Sequence, residues 1–160
     1  MEQKFFFFDI DNTLAVWPEG KIPNSAQYCI DELQRRGHLV SIATGRIQVD
    51  AMRFAEQARI TNVVADGGHS ITIDGKLVSM IGMNRDMCIQ YLEYLESKHI
   101  PWAVTDRNKL GRITPYKEIL EWHPDWDVFK TVVDSEFDFH SVEDFYKIYV
   151  FFKDGEEEEK

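Results

Sequence analysis

Cysteine is nearly absent: Cys29 and Cys88 are the only two in 160 residues. They fall far apart, on expected helices and without metal-ligand spacing, so a reduced, cytoplasmic setting is the simplest expectation. Long apolar runs are lacking too. The four phenylalanines at residues 5–8 end abruptly at Asp9, which is no signal-peptide core. No stretch approaches the about 20 apolar residues of a membrane span, so no membrane partner is expected. Positive charge is short as well. Eighteen Lys and Arg against 28 Asp and Glu leave a net charge of −10, which argues against nucleic-acid binding by phosphate neutralisation. Much of the acidic excess sits at residues 156–159 and reads as a solvated tail. The five histidines, His38, His69, His99, His123 and His140, show no paired metal spacing, and no internal repeat is present.

What is present is a globular composition, 44% hydrophobic and 29% charged. Residues 4–10 read as a short, continuous, aromatic buried strand. A turn is expected at Glu19-Gly20-Lys21. Asn24 or Ser25 then offers a helix cap; with Asn24 in that role, Gln27 stands at the capping-box position. Ala26, Ile30 and Leu33 mark one helical face, and Gly37 marks the stop. A second buried strand is expected over residues 38–43. Strand, helix and strand in that order predict a parallel sheet with a right-handed crossover. A helix over residues 48–57 follows, with Val49, Met52 and Ala55 inward, then a strand over residues 62–65. Asp74-Gly75 between two alternating runs, residues 70–73 and 76–81, predicts a hairpin. The pattern changes after Gly82. Residues 86–98 read as a helix with Met87, Tyr91 and Leu95 at fourfold spacing, and Pro101 opens a strand over residues 102–105. Residues 111–139 give no clear period, and residues 145–152 are again strand-like. Tyr116, Trp122 and Trp126 either pack a core or line a pocket.

The chemistry-bearing residues gather where strands end. Asp9 and Asp11 stand two apart at the close of the first strand, and ligands of open parallel sheets bind beyond the carboxyl ends of the strands. One carboxylate can attack phosphorus and hold the phosphoryl group as an acyl phosphate. A second can protonate the leaving oxygen and then deprotonate water. Two anions facing a phosphate call for a hard cation, and magnesium suits oxygen ligands. Taken alone, Asp9, Asp11 and Thr13 also fit a plain turn. Thr44, which follows Asp9 by 35 positions, ends the next expected strand at the same edge. Its hydroxyl, with the backbone around Gly45, can bind phosphate oxygens.

These two segments, Asp9-Ile10-Asp11-Asn12-Thr13 and Ala43-Thr44-Gly45-Arg46, resemble the signatures of the haloacid dehalogenase superfamily of phosphotransferases. With the hairpin that follows, the chain is most similar to the Cof-type subfamily. The resemblance implies a Rossmann-like α/β core, with residues 1–82 as its N-terminal half and residues 83–160 as the start of an inserted α/β cap. It implies that Asp9 is the nucleophile and a Mg²⁺ ligand. Asp11 is then the general acid/base and offers its backbone carbonyl to the metal, while Thr44 and Gly45 hold the phosphoryl group. Arg46 then contacts substrate or supports its loop. Asp66, where the subfamily often has Asn, is a substrate or a turn residue. The implied substrate is a small phosphorylated metabolite.

The superfamily's third motif, with its Lys, and its fourth, acidic motif have no counterpart after residue 82. The chain is therefore expected to stop within the cap, to have little activity alone and to self-associate through an uncovered strand edge. Two rival readings remain. One is a receiver-type phospho-acceptor domain with Asp66 as acceptor; the other is a non-catalytic binding module.

Overall fold

The computed structural model describes residues 2–16, 20–125 and 129–152. The Glu19 turn residue, Trp126 and the acidic tail lie outside them. The chain divides into two compact units, residues 1–81 and 82–160.

The first unit is a five-stranded sheet carrying two long helices: β1 (Phe5–Phe8), α1 (Asn24–Arg35), β2 (Leu39–Ala43), α2 (Gln48–Ala58), β3 (Asn62–Ala65), β4 (Ser70–Ile73) and β5 (Lys76–Met80). Spatial order follows chain order, with β1, β2 and β3 parallel and β4 and β5 antiparallel. The parallel register pairs Phe6 with Val40, Phe8 with Ile42, and Ile42 with Val63. Because side chains alternate along a strand, these apolar positions share one face. That face meets Ile30 of α1 and Ala51, Phe54, Ala55 and Ala58 of α2 in one core with Ile10 and Leu14. The β4–β5 turn has positive φ at Asp74 (50°) and Gly75 (75°), the pair of left-handed residues a two-residue hairpin requires.

Three local expectations are corrected. Helix α1 has Pro23 at its capping position and no side-chain cap. Gln27 instead donates to Asp31 Oδ1 (2.9 Å) and to the Ala58 carbonyl (3.0 Å), tying α1 to the end of α2. In α2, Met52 and Ala55 pack inward as expected, but the buried face runs through Ala51, Phe54, Ala55 and Ala58, and Val49 is not part of that core. Strand β1 is only half buried, with Phe5 61% and Phe7 58% exposed. It is the edge strand, and Phe8 joins the core that holds both helices.

The second unit contains α3 (Arg85–Ser97), β6 (Trp102–Thr105), β7 (Gly111–Thr114), the short α4 (Ile119–Trp122), β8 (Lys130–Val133) and β9 (Lys147–Val150). Its sheet runs β8-β7-β6-β9; β7 and β8 are parallel, and the other pairs are antiparallel. Asn84 caps α3, its Oδ1 accepting from the Met87 N–H at 3.0 Å. Trp102 is fully buried, edge-on to Tyr116 and Phe139. The Trp102 indole and the Tyr116 hydroxyl both donate to Glu96 Oε1, at 2.8 and 2.6 Å, so Tyr116 packs in the core. Helix α3 buries Cys88, Leu92 and Leu95; Leu95 stands where expected, whereas Met87 is 69% and Tyr91 45% exposed, so the stripe before Leu95 is turned by one residue. Among the described residues no helix is long and apolar enough to cross a membrane.

This rotation is testable. Leu92→Ala is expected to cost about 2–5 kcal/mol, the usual range for a buried leucine. Met87→Ala should stay within about 0.5 kcal/mol, as exposed positions do. Urea unfolding of the two variants measures the contrast, and equal losses would restore the expected face.

Candidate active site

The loop after β1 is built around one backbone carbonyl. Ile10 is fully buried, and its oxygen accepts from the N–H groups of Thr13 (3.3 Å), Leu14 (3.1 Å) and Ala15 (2.8 Å). Asn12 reverses the chain at φ 58°, a left-handed conformation that Asn tolerates better than most residues. Its N–H donates to the Ala15 carbonyl at 3.0 Å. With Ile10 fixed in the core, its neighbours Asp9 and Asp11 are left outward: Asp9 is exposed and the Asp11 side chain is 41% exposed. Among the described residues the Asp9 carboxylate has no hydrogen-bond or ion-pair partner.

Strand β2 delivers Thr44 at the same edge. Phe8 is in register with Ile42, so Asp9 and Thr44 leave adjacent parallel strands at their carboxyl ends. Thr44 is buried and locked by its backbone: its N–H donates to Val64 O (2.9 Å) and its carbonyl accepts from Gly67 N (3.2 Å). Its Oγ1 accepts from the Arg46 N–H at 3.2 Å, which leaves the hydroxyl proton available for donation elsewhere. Gly45 is exposed, and among the described residues a Cβ built there would meet nothing within 4 Å.

Arg46 joins the two loops. Its Nε and Nη2 donate to Asp11 Oδ2 (2.9 Å) and Oδ1 (2.7 Å), a two-pronged carboxylate pair. Nη1 donates to Asp50 Oδ2 at 2.6 Å, and the guanidinium lies over the Phe54 ring, 4.8 Å from its centroid. Burial acts to lower the Arg46 pKa, but the hydrogen bonds it donates to the two carboxylates, with their charges, outweigh it and raise the value. Asp50, buried on α2, also accepts from Arg53 at 3.1 Å. Sequence reasoning passed over Asp50; the available signal was its position one helical turn after Arg46, with Phe54 one turn further.

Asp66 is nearly buried, at φ 52°, in a single 3₁₀ turn after β3. Its Oδ2 accepts from the Gln48 N–H (3.1 Å) at the first turn of α2, and its own N–H donates to the Arg46 carbonyl (2.8 Å). The residue thus caps a helix from a distance, where the helix dipole favours an anion. Among the described residues no three His, Cys, Asp or Glu side chains gather as a metal cluster. Among the described residues Asp9 and Asp11 bring oxygen donors to the end of β1. That set suits a cation that takes one or two carboxylates and keeps its waters, as Mg²⁺ does.

A family profile described as haloacid dehalogenase-like hydrolase matches residues 6–160, and the chain belongs to that family. It is 25% identical over 122 residues to the Bacillus subtilis protein named "Putative phosphatase YkrA", covering 76% of this chain and 47% of that protein. The chain thus spans about half the length of this curated relative. Among solved structures, a hypothetical protein of Geobacillus kaustophilus superposes with a TM-score of 0.71 at 22% identity, over 98% of this chain and 60% of that one. BT1666 of Bacteroides thetaiotaomicron, studied as a phosphatase of the same superfamily, has a TM-score of 0.66 at 19% identity, over 85% of this chain and 51% of that one.

The Asp66 cap carries its own prediction. Asp66→Ala should destabilise the first unit by about 0.5–2 kcal/mol, the cost of losing a helix cap. Asp66→Asn, which keeps an accepting oxygen, should cost less. Thermal unfolding checks both, and a neutral Asp66→Ala would remove the capping role.

Proposed function

We propose that this chain carries the nucleophile half of a Mg²⁺-dependent phosphomonoester hydrolase. The observation that carries the proposal is the shared edge: an unpartnered Asp9 carboxylate and a backbone-locked Thr44 end neighbouring parallel strands. The relatives named as phosphatases support it.

In this reading an Asp9 carboxylate oxygen attacks phosphorus, the bond from phosphorus to the ester oxygen breaks, and Asp11 gives its proton to the departing alkoxide. Water then attacks the aspartyl phosphate. Asp11 takes the proton from that water, and the bond from phosphorus to the Asp9 oxygen breaks, releasing inorganic phosphate. Thr44 donates its hydroxyl proton to a phosphoryl oxygen, with the Gly45 backbone alongside. A Mg²⁺ ion held by the Asp9 carboxylate and the Asp11 backbone carbonyl would offset the anionic charge. The substrate class is a small phosphorylated metabolite, and residues 82–160 are read as part of a cap that selects it. A receiver-type reading is disfavoured, because Asp66, its candidate acceptor, is committed to capping α2.

Asp9→Asn is expected to abolish hydrolysis of p-nitrophenyl phosphate in a full-length form while leaving the far-UV spectrum unchanged. Turnover that survives would remove Asp9 as nucleophile. Asp11→Asn should lower turnover about 10²–10⁴-fold, the range of a positioned acid/base.

The 160-residue chain itself should bind Mg²⁺ weakly and turn over little, having two carboxylates at the site. It should also self-associate through β1, an edge strand with Phe5 and Phe7 exposed. Light scattering gives the mass in solution, and Phe7→Lys should lower it. A fully active monomer would refute both expectations.

A further inference from the structure

We propose that Asp50 is a positioning residue of this site: through Arg46 it fixes the direction of the Asp11 carboxylate. That Asp11 needs a fixed direction rests on the acid–base role proposed above.

The argument starts from the arginine. A free Arg side chain samples many rotamers, and a two-pronged carboxylate pair forms only when the guanidinium plane and its Nε–Nη2 edge are both set. The contact to Asp11 does not by itself account for them, because the Asp11 side chain is 41% exposed and stands on a loop. The plane and edge are set from behind. Phe54, 8% exposed, supports the face of the guanidinium at 4.8 Å. Asp50 receives Nη1 at 2.6 Å, which leaves the Nε–Nη2 edge turned to Asp11.

Asp50 is itself held. It is 8% exposed, sits on the first turns of α2, and takes a second hydrogen bond from Arg53 at 3.1 Å. Residues 46, 50 and 54 are spaced by one helical turn each, so α2 carries both supports on one face. The order runs from rigid to mobile: helix, Asp50 and Phe54, Arg46, then Asp11 on its loop. A carboxylate that must meet first a leaving oxygen and then a water at one phosphorus gains from such a fixed direction. A merely structural ion pair would not need its fork pointed into the site loop.

Nuclear magnetic resonance of the 160-residue chain tests the relay directly. Wild type is expected to show a slowly exchanging Arg46 Nε–H and scalar couplings across the hydrogen bonds to the Asp11 carboxylate carbon. Asp50→Asn should accelerate Arg46 Nε–H exchange by about tenfold or more and abolish the couplings, with the Trp102 indole signal unchanged. Should Asp50→Asn unfold the first unit, Phe54→Leu, which keeps the apolar volume, should still weaken the couplings. Arg46→Lys should release the Asp11 carbon signal, since an ammonium has no fork. Couplings that persist unchanged in Asp50→Asn or in Phe54→Leu overturn the proposal, as does a wild-type Arg46 Nε–H that exchanges as fast as that of exposed Arg35. The two readings fail separately. An intact, Asp50-dependent clamp beside an Asp9 that is inert in a full-length enzyme supports the clamp and sinks the phosphatase. Asp9-dependent turnover beside a clamp insensitive to Asp50 does the reverse.

Discussion

The in-register parallel pairing of β1 with β2 is the constraint on which the rest depends. Phe6 opposite Val40 and Phe8 opposite Ile42 set the register, which puts Phe8, Val40 and Ile42 into the helix-covered core. A slip of one residue would send Phe5 and Phe7 into the core and turn Phe6 and Phe8 outward. It would also carry Asp9 out of step with Thr44. The core and the site are therefore fixed by the same ladder, and the site needs no separate scaffold.

From that ladder the loops follow with little freedom. Burying Ile10 forces Asp9 and Asp11 outward, and three N–H groups closing on one carbonyl leave the loop one compact shape. On the β2 side, the Thr44 backbone is bonded to Val64 and Gly67, and Asp66 ties the same turn to α2. Three strand ends and one helix start are thus knotted together by hydrogen bonds between neighbours in space. The second unit solves a different problem. Arg112, 3% exposed, is ringed by Phe129, Tyr149 and Phe151 and donates to Thr131 Oγ1 and the His123 carbonyl. Burial pulls its pKa down, against the opposing charge of Asp125, and the aromatic faces add cation–π contact.

Much of this was legible in the sequence wherever the signal was local. The strands over residues 62–65 and 102–105 and the Asp74-Gly75 hairpin rest on short-range chemistry, and they stand where expected. The Asp9 and Thr44 segments were legible because strand ends are easily read from an apolar run that stops at a polar residue. The helix faces were not. In α2 and α3, apolar residues occupy more than one stripe, so periodicity alone could not say which stripe meets the sheet. The packing chose the one with Ala51, Ala55 and Ala58, whose small side chains let α2 lie close to β2 and β3. The roles of Gln27, Asp50 and Asp66 were hidden for another reason. Each bonds to a group brought near only by the fold, or by a helix whose face had been misjudged.

The charges close the argument. Among the described residues, Asp11, Asp50, Arg46 and Arg53 are linked by ion pairs, two carboxylates with two guanidinium groups. Asp66 has its charge directed at a helix N-terminus. Of the aspartates at this edge, Asp9 alone has a carboxylate with no ion-pair or hydrogen-bond partner among the described residues. An attacking carboxylate has to keep a lone pair uncommitted. One strand end thus presents two aspartates in opposite states, one uncommitted and one clamped, and α2 rather than β1 makes the difference.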